Sequence, residues 1–449
     1  MSNWLTPNPP HIANTLVTIK MKRYFEIFPN KNGPLGSYNP FTHVITLNCI
    51  DQESFESRDI NSPSSEDDIR INGYYAHELT HWLDHHTTIW GQLNLIYQYN
   101  AMNARLNGRI KDLWRIKHYY DSCKRDCFED YFATIIDPEY DFSKGKWAPQ
   151  TSSTPTFDID GNINPNRPIN IITYTSEDNR EIAHIPIYTE SILEVRALHH
   201  EFSFRAAEIK EKYTEPQKSA AFANLNIEID NLLYDVAMLK YNSIAHFTTM
   251  RTNQIKLDNI FESSSLIGNL SLNFPKKLTD RILLFPTEND MQRQHFQQML
   301  LNREAGFIYY NLIMNSKDLD YNSTIDVNAI LHKSELPDIL EYTKLVISEM
   351  KNNLNHLIQG PFYDTAKKRL EKGIEMVEKH GISSLNYLYF QESDESLRPI
   401  VRYRDTKATI KEIPEDTWME KEELNYEEHM SIYLFMLTKI YDFIGACKN

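Results

Sequence analysis

His77-Glu78-Leu79-Thr80-His81 is the stretch on which the reading of this chain turns. Two histidines stand four residues apart, with a glutamate directly after the first. On an α-helix, positions four apart lie on one face, about one turn from each other. His77 and His81 can therefore aim both imidazoles at one metal ion, and Glu78 borders its open side. There its carboxylate is placed to take a proton from a bound water, whose pKa a zinc ion lowers to about 7. The flanks fit such a helix. Tyr75, Leu79, Trp82 and Leu83 read as its buried face, which leaves His77 and His81 at the edge of a core. Asn72 is the expected N-cap.

A catalytic zinc takes three protein ligands and keeps one position open, so one ligand is missing from the motif. In metzincins a Gly three residues and a His six residues beyond the second His supply the turn and the ligand. Here those places hold Asp84 and Thr87, so that pattern fails twice. His85 extends the series, but eight helical residues span about 12 Å, too far for one ion to bridge from His77. His85 and His86 are expected to be solvated or to support the ligands from behind. The remaining route is a glutamate on a second helix. The run from Thr189 to Phe202 has helical apolar spacing at Ile192, Val195, Leu198 and Phe202, with Pro186 and Thr189 marking its start. Glu194 is the favoured ligand, with the small Ala197 three residues on to allow close helix approach. Glu190 is the alternative, and Glu129 a third candidate. Any one of these carboxylates read alone would pass for a solvated helix face.

HELTHWLDHHTTIWG, residues 77–91, resembles the metal helix of poorly characterised bacterial gluzincin-like proteins, with an aromatic after the second His and a Thr-Thr-x-x-Gly ending. Glu194-Val195-Arg196-Ala197 is similar to their E-x-x-A helix, although the separation from His81 is long for that group. The Glu190 and Glu194 pair resembles a thermolysin-like arrangement, in which an acidic residue one turn from the ligand holds a zinc-bound His. The resemblance covers two helices. It implies a zinc-dependent metallopeptidase with Zn2+ as cofactor, Glu78 as general base, and a protein or peptide as substrate. Such enzymes often add a His or Tyr that stabilises the oxyanion, for which His199, His200, Tyr309 and Tyr310 are the candidates. Two other readings remain open: a catalytically silent scaffold of the same fold that binds a partner, and a zinc hydrolase of a non-peptide bond. The intact Glu78 weighs against the scaffold.

With 449 residues the chain is long enough for two or three domains. Its 13 glycines and its abundance of Leu, Ile, Asn and Lys suit a helix-rich protein. The formal charge of −15 argues against a general nucleic-acid binder, since phosphate backbones call for clustered Lys and Arg. No signal peptide begins the sequence, and no apolar run reaches membrane-spanning length. Cys49, Cys123, Cys127 and Cys447 read as thiols in a reducing cytoplasm.

Along the chain, Thr42–Asn48 alternates like a strand and is the candidate sheet edge for pairing with an extended peptide. The acidic, Ser-rich stretch from Asp51 to Arg70 reads as a loop. Residues 92–135 read as helix, facing a core with Leu95, Met102, Leu106, Ile110, Leu113 and Trp114. Residues 137–170 are rich in turn formers, and Asp158–Asn164 reads as a hairpin turn, because Ile169 stands where a calcium loop needs its Glu. Short strands follow over 171–187. From about 216 onward the pattern is helical over 226–250, 288–314 and 335–358, with a strand-like piece at 398–413 and a last amphipathic helix at about 422–444. The expected class is α+β and helix-rich. A zincin-like domain over residues 1–215, with a small sheet and an insertion at about 137–187, precedes a mainly helical region over 216–449 that serves as a second domain or lid. That region and the acidic loop suit restraint by a regulatory partner.

Overall fold

The computed structural model describes residues 35–57, 65–126, 132–142, 147–157, 162–252, 256–322, 325–383, 399–406 and 426–447. Glu129, Cys127 and the turn at 158–161 lie outside them. The fold is helix-rich, 65% helical, with two small sheets, which is the α+β class expected. No helix among the described residues is long and apolar enough to cross a membrane.

The metal-motif helix starts earlier than its sequence suggests. After a short helix α1 (Gln52–Glu56), helix α2 runs from Glu66 to Thr87. Ser65, not Asn72, caps it. The Asp68 amide donates to the Ser65 hydroxyl at 3.2 Å, and the Ser65 amide donates to the Asp68 carboxylate at 3.0 Å. The acidity that made Asp51–Arg70 look like a loop belongs to a helix start, where Glu66, Asp67 and Asp68 meet the positive end of the dipole. Helix α3 (Ile89–Asn107) ends at Gly108, whose φ of 62° is left-handed, and α4 (Trp114–Asp126) begins afresh. The single helical run expected over 92–135 is therefore broken. Leu95 and Met102 are buried as expected, but Ile110 and Trp114, on the connection and at the restart, are 87% and 55% exposed.

One small sheet has the order β1-β2-β7, with β1 (Gly36–Asn39) antiparallel to β2 (Val44–Leu47) and β7 (Ile400–Tyr403) parallel to it. The strand expected to be an open edge is thus central. Its second neighbour arrives from the far end of the chain, which no local pattern reveals. The other sheet has the order β3-β6-β5-β4: β3 (Thr134–Ile135), β6 (Glu181–Ile187), β5 (Ile163–Ser176) and β4 (Trp147–Phe157). Residues 147–157 read as turn-rich from their prolines. They form an outer strand instead, where a missing N–H can point away from the ladder. Strands β4 and β5 pair antiparallel on either side of 158–161.

Helix α5 (Thr189–Lys212) follows β6 directly and carries the second half of the site. Its expected core positions Ile192, Val195, Leu198 and Phe202 are all buried. Helices α6 (Glu215–Tyr234), α7 (Leu239–Thr252), α8 (Leu257–Leu272), α9 (Asp290–Leu301), α10 (Ala305–Ser316), α11 (Val327–Lys333), α12 (Ile339–Asn353), α13 (Tyr363–His380) and α14 (Tyr426–Cys447) complete the order. The main apolar core joins Leu83 of α2, Ile185 of β6 and Val195 of α5 to Phe247 of α7 and Ile267 of α8. Each such side chain contributes about 1.5–3 kcal/mol when fully buried. A second core lies among α3, α4, α13 and α14, with Tyr99, Ile116, Leu370 and Met436 at its centre.

Candidate metal centre

Helices α2 and α5 lie side by side, and two features fix their register. Gly73 allows the approach: a Cβ there would lie 2.7 Å from Arg205 Cδ and 3.3 Å from Glu201 Cγ. Arg196 locks it. Its Nε donates to both Asp84 oxygens at 3.0 and 3.1 Å, Nη2 lies 2.8 Å from Oδ1, and Nη1 donates to the Ser265 carbonyl at 3.0 Å. The pair is sealed, with Asp84 at 0% and Arg196 at 5% exposure. Arg196 stands two residues after Glu194 and Asp84 three after His81, so this one ion pair sets how Glu194 faces the histidines.

It faces them directly. Glu194 Oε2 lies 3.4 Å from His77 Nε2 and 3.8 Å from His81 Nε2. The three side chains form a group whose ligand atoms all lie within 4.8 Å of one another. Two imidazole nitrogens and one carboxylate oxygen are a donor set that suits Zn2+. Ligand atoms about 2.1 Å from a tetrahedral ion stand about 3.4 Å apart, close to the spacing found. Glu194, not Glu190, completes the trio. Glu190 sits one turn earlier on α5 and does not join it.

A carboxylate behind His77 fixes the ring. Glu201 Oε2 lies 3.2 Å from Nδ1, which therefore carries a proton and leaves Nε2 to face the trio. Glu201 is itself held by Arg205 Nη1 at 3.5 Å, and Arg205 donates to Glu228 Oε1 at 2.9 Å. Burial opposes a charge on His77, but hydrogen bonds to Glu194 and Glu201 and the field of Glu78 win, and its pKa stands well above the usual range. Sequence reasoning looked for the supporting carboxylate one turn from Glu194 and missed Glu201, two turns away on the same face. Glu201→Gln is expected to weaken zinc binding by about 10–100-fold with little change in fold, as read by competition with a fluorescent chelator. Unchanged affinity would remove Glu201 from the site.

Glu78 is buried beside the trio, at 7% exposure. Burial pushes its carboxyl up to about 7; the nearby Glu194 and Glu201 add to this, while His77 and the Tyr38 backbone N–H oppose it. A carboxyl poised there accepts and returns a proton near neutral pH. Strand β1 runs past it. A Cβ on Gly36 would stand 3.0 Å from Glu78 Oε1, so a larger residue there would press on this carboxylate.

The other residues singled out from sequence lie elsewhere. His85 and His86 are buried and not solvated: Nδ1 of His85 donates to the His81 carbonyl at 2.9 Å, and Nδ1 of His86 to the Trp82 carbonyl at 2.8 Å. The His85 ring fits between Tyr38 and Trp90. His199 and His200 are on α5, outside the trio; burial, with Arg196, lowers His199 to about 4, and burial holds His200 well below its usual range. Tyr309 is fully buried in the helical core, where its hydroxyl pairs with Thr248, and Tyr310 stacks on Phe247. No family model, no curated protein and no solved structure matches the chain.

Proposed function

We propose that the chain is a zinc-dependent metallopeptidase of gluzincin-like type, with His77, His81 and Glu194 as the residues that would hold the ion and Glu78 as the base. The observation that carries this reading is the convergence of both Nε2 atoms on Glu194 Oε2 with Glu78 alongside. A bound Zn2+ would supply the Lewis acidity that polarises a carbonyl and acidifies water. Glu78 takes the proton of the attacking water and returns it to the leaving amine. Glu201 keeps the His77 Nδ1 protonated and the ring in place. Among the described residues β1 is the outer strand of its sheet on the side of Glu78, so an extended backbone laid along it would pass the carboxylate.

The test is zinc content per chain, by elemental analysis of wild type, His81→Ala, Glu194→Ala and Glu190→Ala. One zinc is expected in wild type and in Glu190→Ala, and less than about a tenth of that in His81→Ala and Glu194→Ala. A wild type that stays empty after incubation with zinc would sink the proposal.

A further inference from the structure

A cavity of about 580 Å³ opens between α3, α4 and α12, apart from the metal trio, and its walls combine two chemistries. One wall is aromatic. The Tyr97 and His118 rings meet edge-on at 4.5 Å, and Trp114, 55% exposed, lies 5.8 Å from His118. The Arg115 guanidinium covers the Trp114 ring at 4.6 Å. The lining is also cationic. The cavity is lined by Arg115, Lys276, Lys277 and Arg303 against a single carboxylate, Glu349. That is a local excess of positive charge in a chain whose formal charge is −15.

The carboxylate is already engaged. Arg303 Nη1 lies 2.5 Å from Glu349 Oε1, and the Lys276 backbone N–H donates to Oε2 at 2.6 Å. Arg115 lies 3.7 Å from Asp112. Among the described residues neither the Lys276 nor the Lys277 ammonium has a carboxylate within ion-pair distance. Asn353 also lines the cavity; it is 7% exposed, and its Nδ2 has no hydrogen-bond partner. Leu93, Ile96 and Leu345 supply the apolar remainder.

We propose that this cavity binds a small anion that carries a flat ring, of the class of a nucleoside phosphate. The volume suits a ligand of that size. The ring stacks on the Trp114 and Tyr97 wall, and the phosphates meet Lys276 and Lys277. Surface charge elsewhere on the chain repels anions, so the lysine pair also sets where such a ligand can approach.

Isothermal titration of the full chain with ATP, pyrophosphate and adenosine tests this, repeated on His81→Ala to remove the metal trio as a phosphate acceptor. Saturable binding of ATP is expected in wild type and in His81→Ala alike, with pyrophosphate and adenosine each weaker by about tenfold or more. Lys276→Glu with Lys277→Glu should weaken ATP by about tenfold or more and leave adenosine unchanged, and Trp114→Ala should weaken both ATP and adenosine but not pyrophosphate. All three positions face solvent, so the fold tolerates these changes. The proposal is overturned by absence of saturable ATP binding, by loss of ATP binding in His81→Ala, or by wild-type ATP affinity in both cavity variants. Pyrophosphate binding as tight as ATP would overturn the nucleoside class in favour of an inorganic phosphate chain.

Discussion

Glu78→Gln is expected to abolish most hydrolysis while leaving the bound metal in place. Glutamine has the shape of glutamate and cannot take a proton, so the three proposed ligands keep their positions and only the base is lost. General-base contributions run at about 10²–10⁴-fold, and the fall in kcat should lie in that range with KM little changed. The position is one of tight fit: Gly36 abuts the carboxylate and the Tyr38 N–H donates to it, and the amide oxygen of Gln preserves both relations. A quenched unfolded-protein substrate read by fluorescence, with zinc measured on the same samples, separates the two effects. Turnover within a few fold of wild type would show that Glu78 is not the base. Loss of zinc in step with activity would show that Glu78 holds the metal.

The largest expected effect on stability is at Arg196. Removing one partner of a buried ion pair leaves the other charge stranded, at a cost of about 3–5 kcal/mol. Arg196→Met strands Asp84, which is fully buried, and also takes a donor from the Ser265 carbonyl. Urea denaturation should show a loss of that size. The double variant Asp84→Leu with Arg196→Met should recover most of it, since a well-packed apolar pair often equals a buried ionic one. A single variant as stable as wild type would mean that the pair does not lock α2 against α5. The same variant bears on the site, because register between these helices is what points Glu194 at His77 and His81.

How much of this was legible in sequence follows from how far apart the cooperating residues stand. His77, Glu78 and His81 sit within five residues, and helical geometry alone puts the two imidazoles together. Glu194 was legible because its helix announces itself by apolar spacing at Ile192, Val195, Leu198 and Phe202. Glu201 was hidden in plain view: it is on the same helix and face, but nothing local distinguishes a carboxylate that backs a histidine from one that faces water. The Asp84–Arg196 lock was invisible for the same reason, since it depends on how two helices cross. Ser65 was missed as a cap because its partner is Asp68, where the familiar box has Glu or Gln. Strand β4 was missed because Pro149 and Pro155 suggest turns, and only its outer place in the sheet makes them harmless.

The parallel pairing of β2 with β7 has a consequence in time. Residues 400–403 complete the sheet begun by residues 36–47. A ribosome adds about 5–20 residues per second, so the first two strands wait roughly 20–70 s for the third. Through that interval the strand beside Glu78 is half of a two-stranded ribbon, and such ribbons are marginal in water. Helix α2 is made early and the sheet beside it is finished late. A nascent chain therefore carries His77, Glu78 and His81 long before it carries the third strand of the sheet that runs past Glu78, and that sheet is whole only once residues 400–403 have been made.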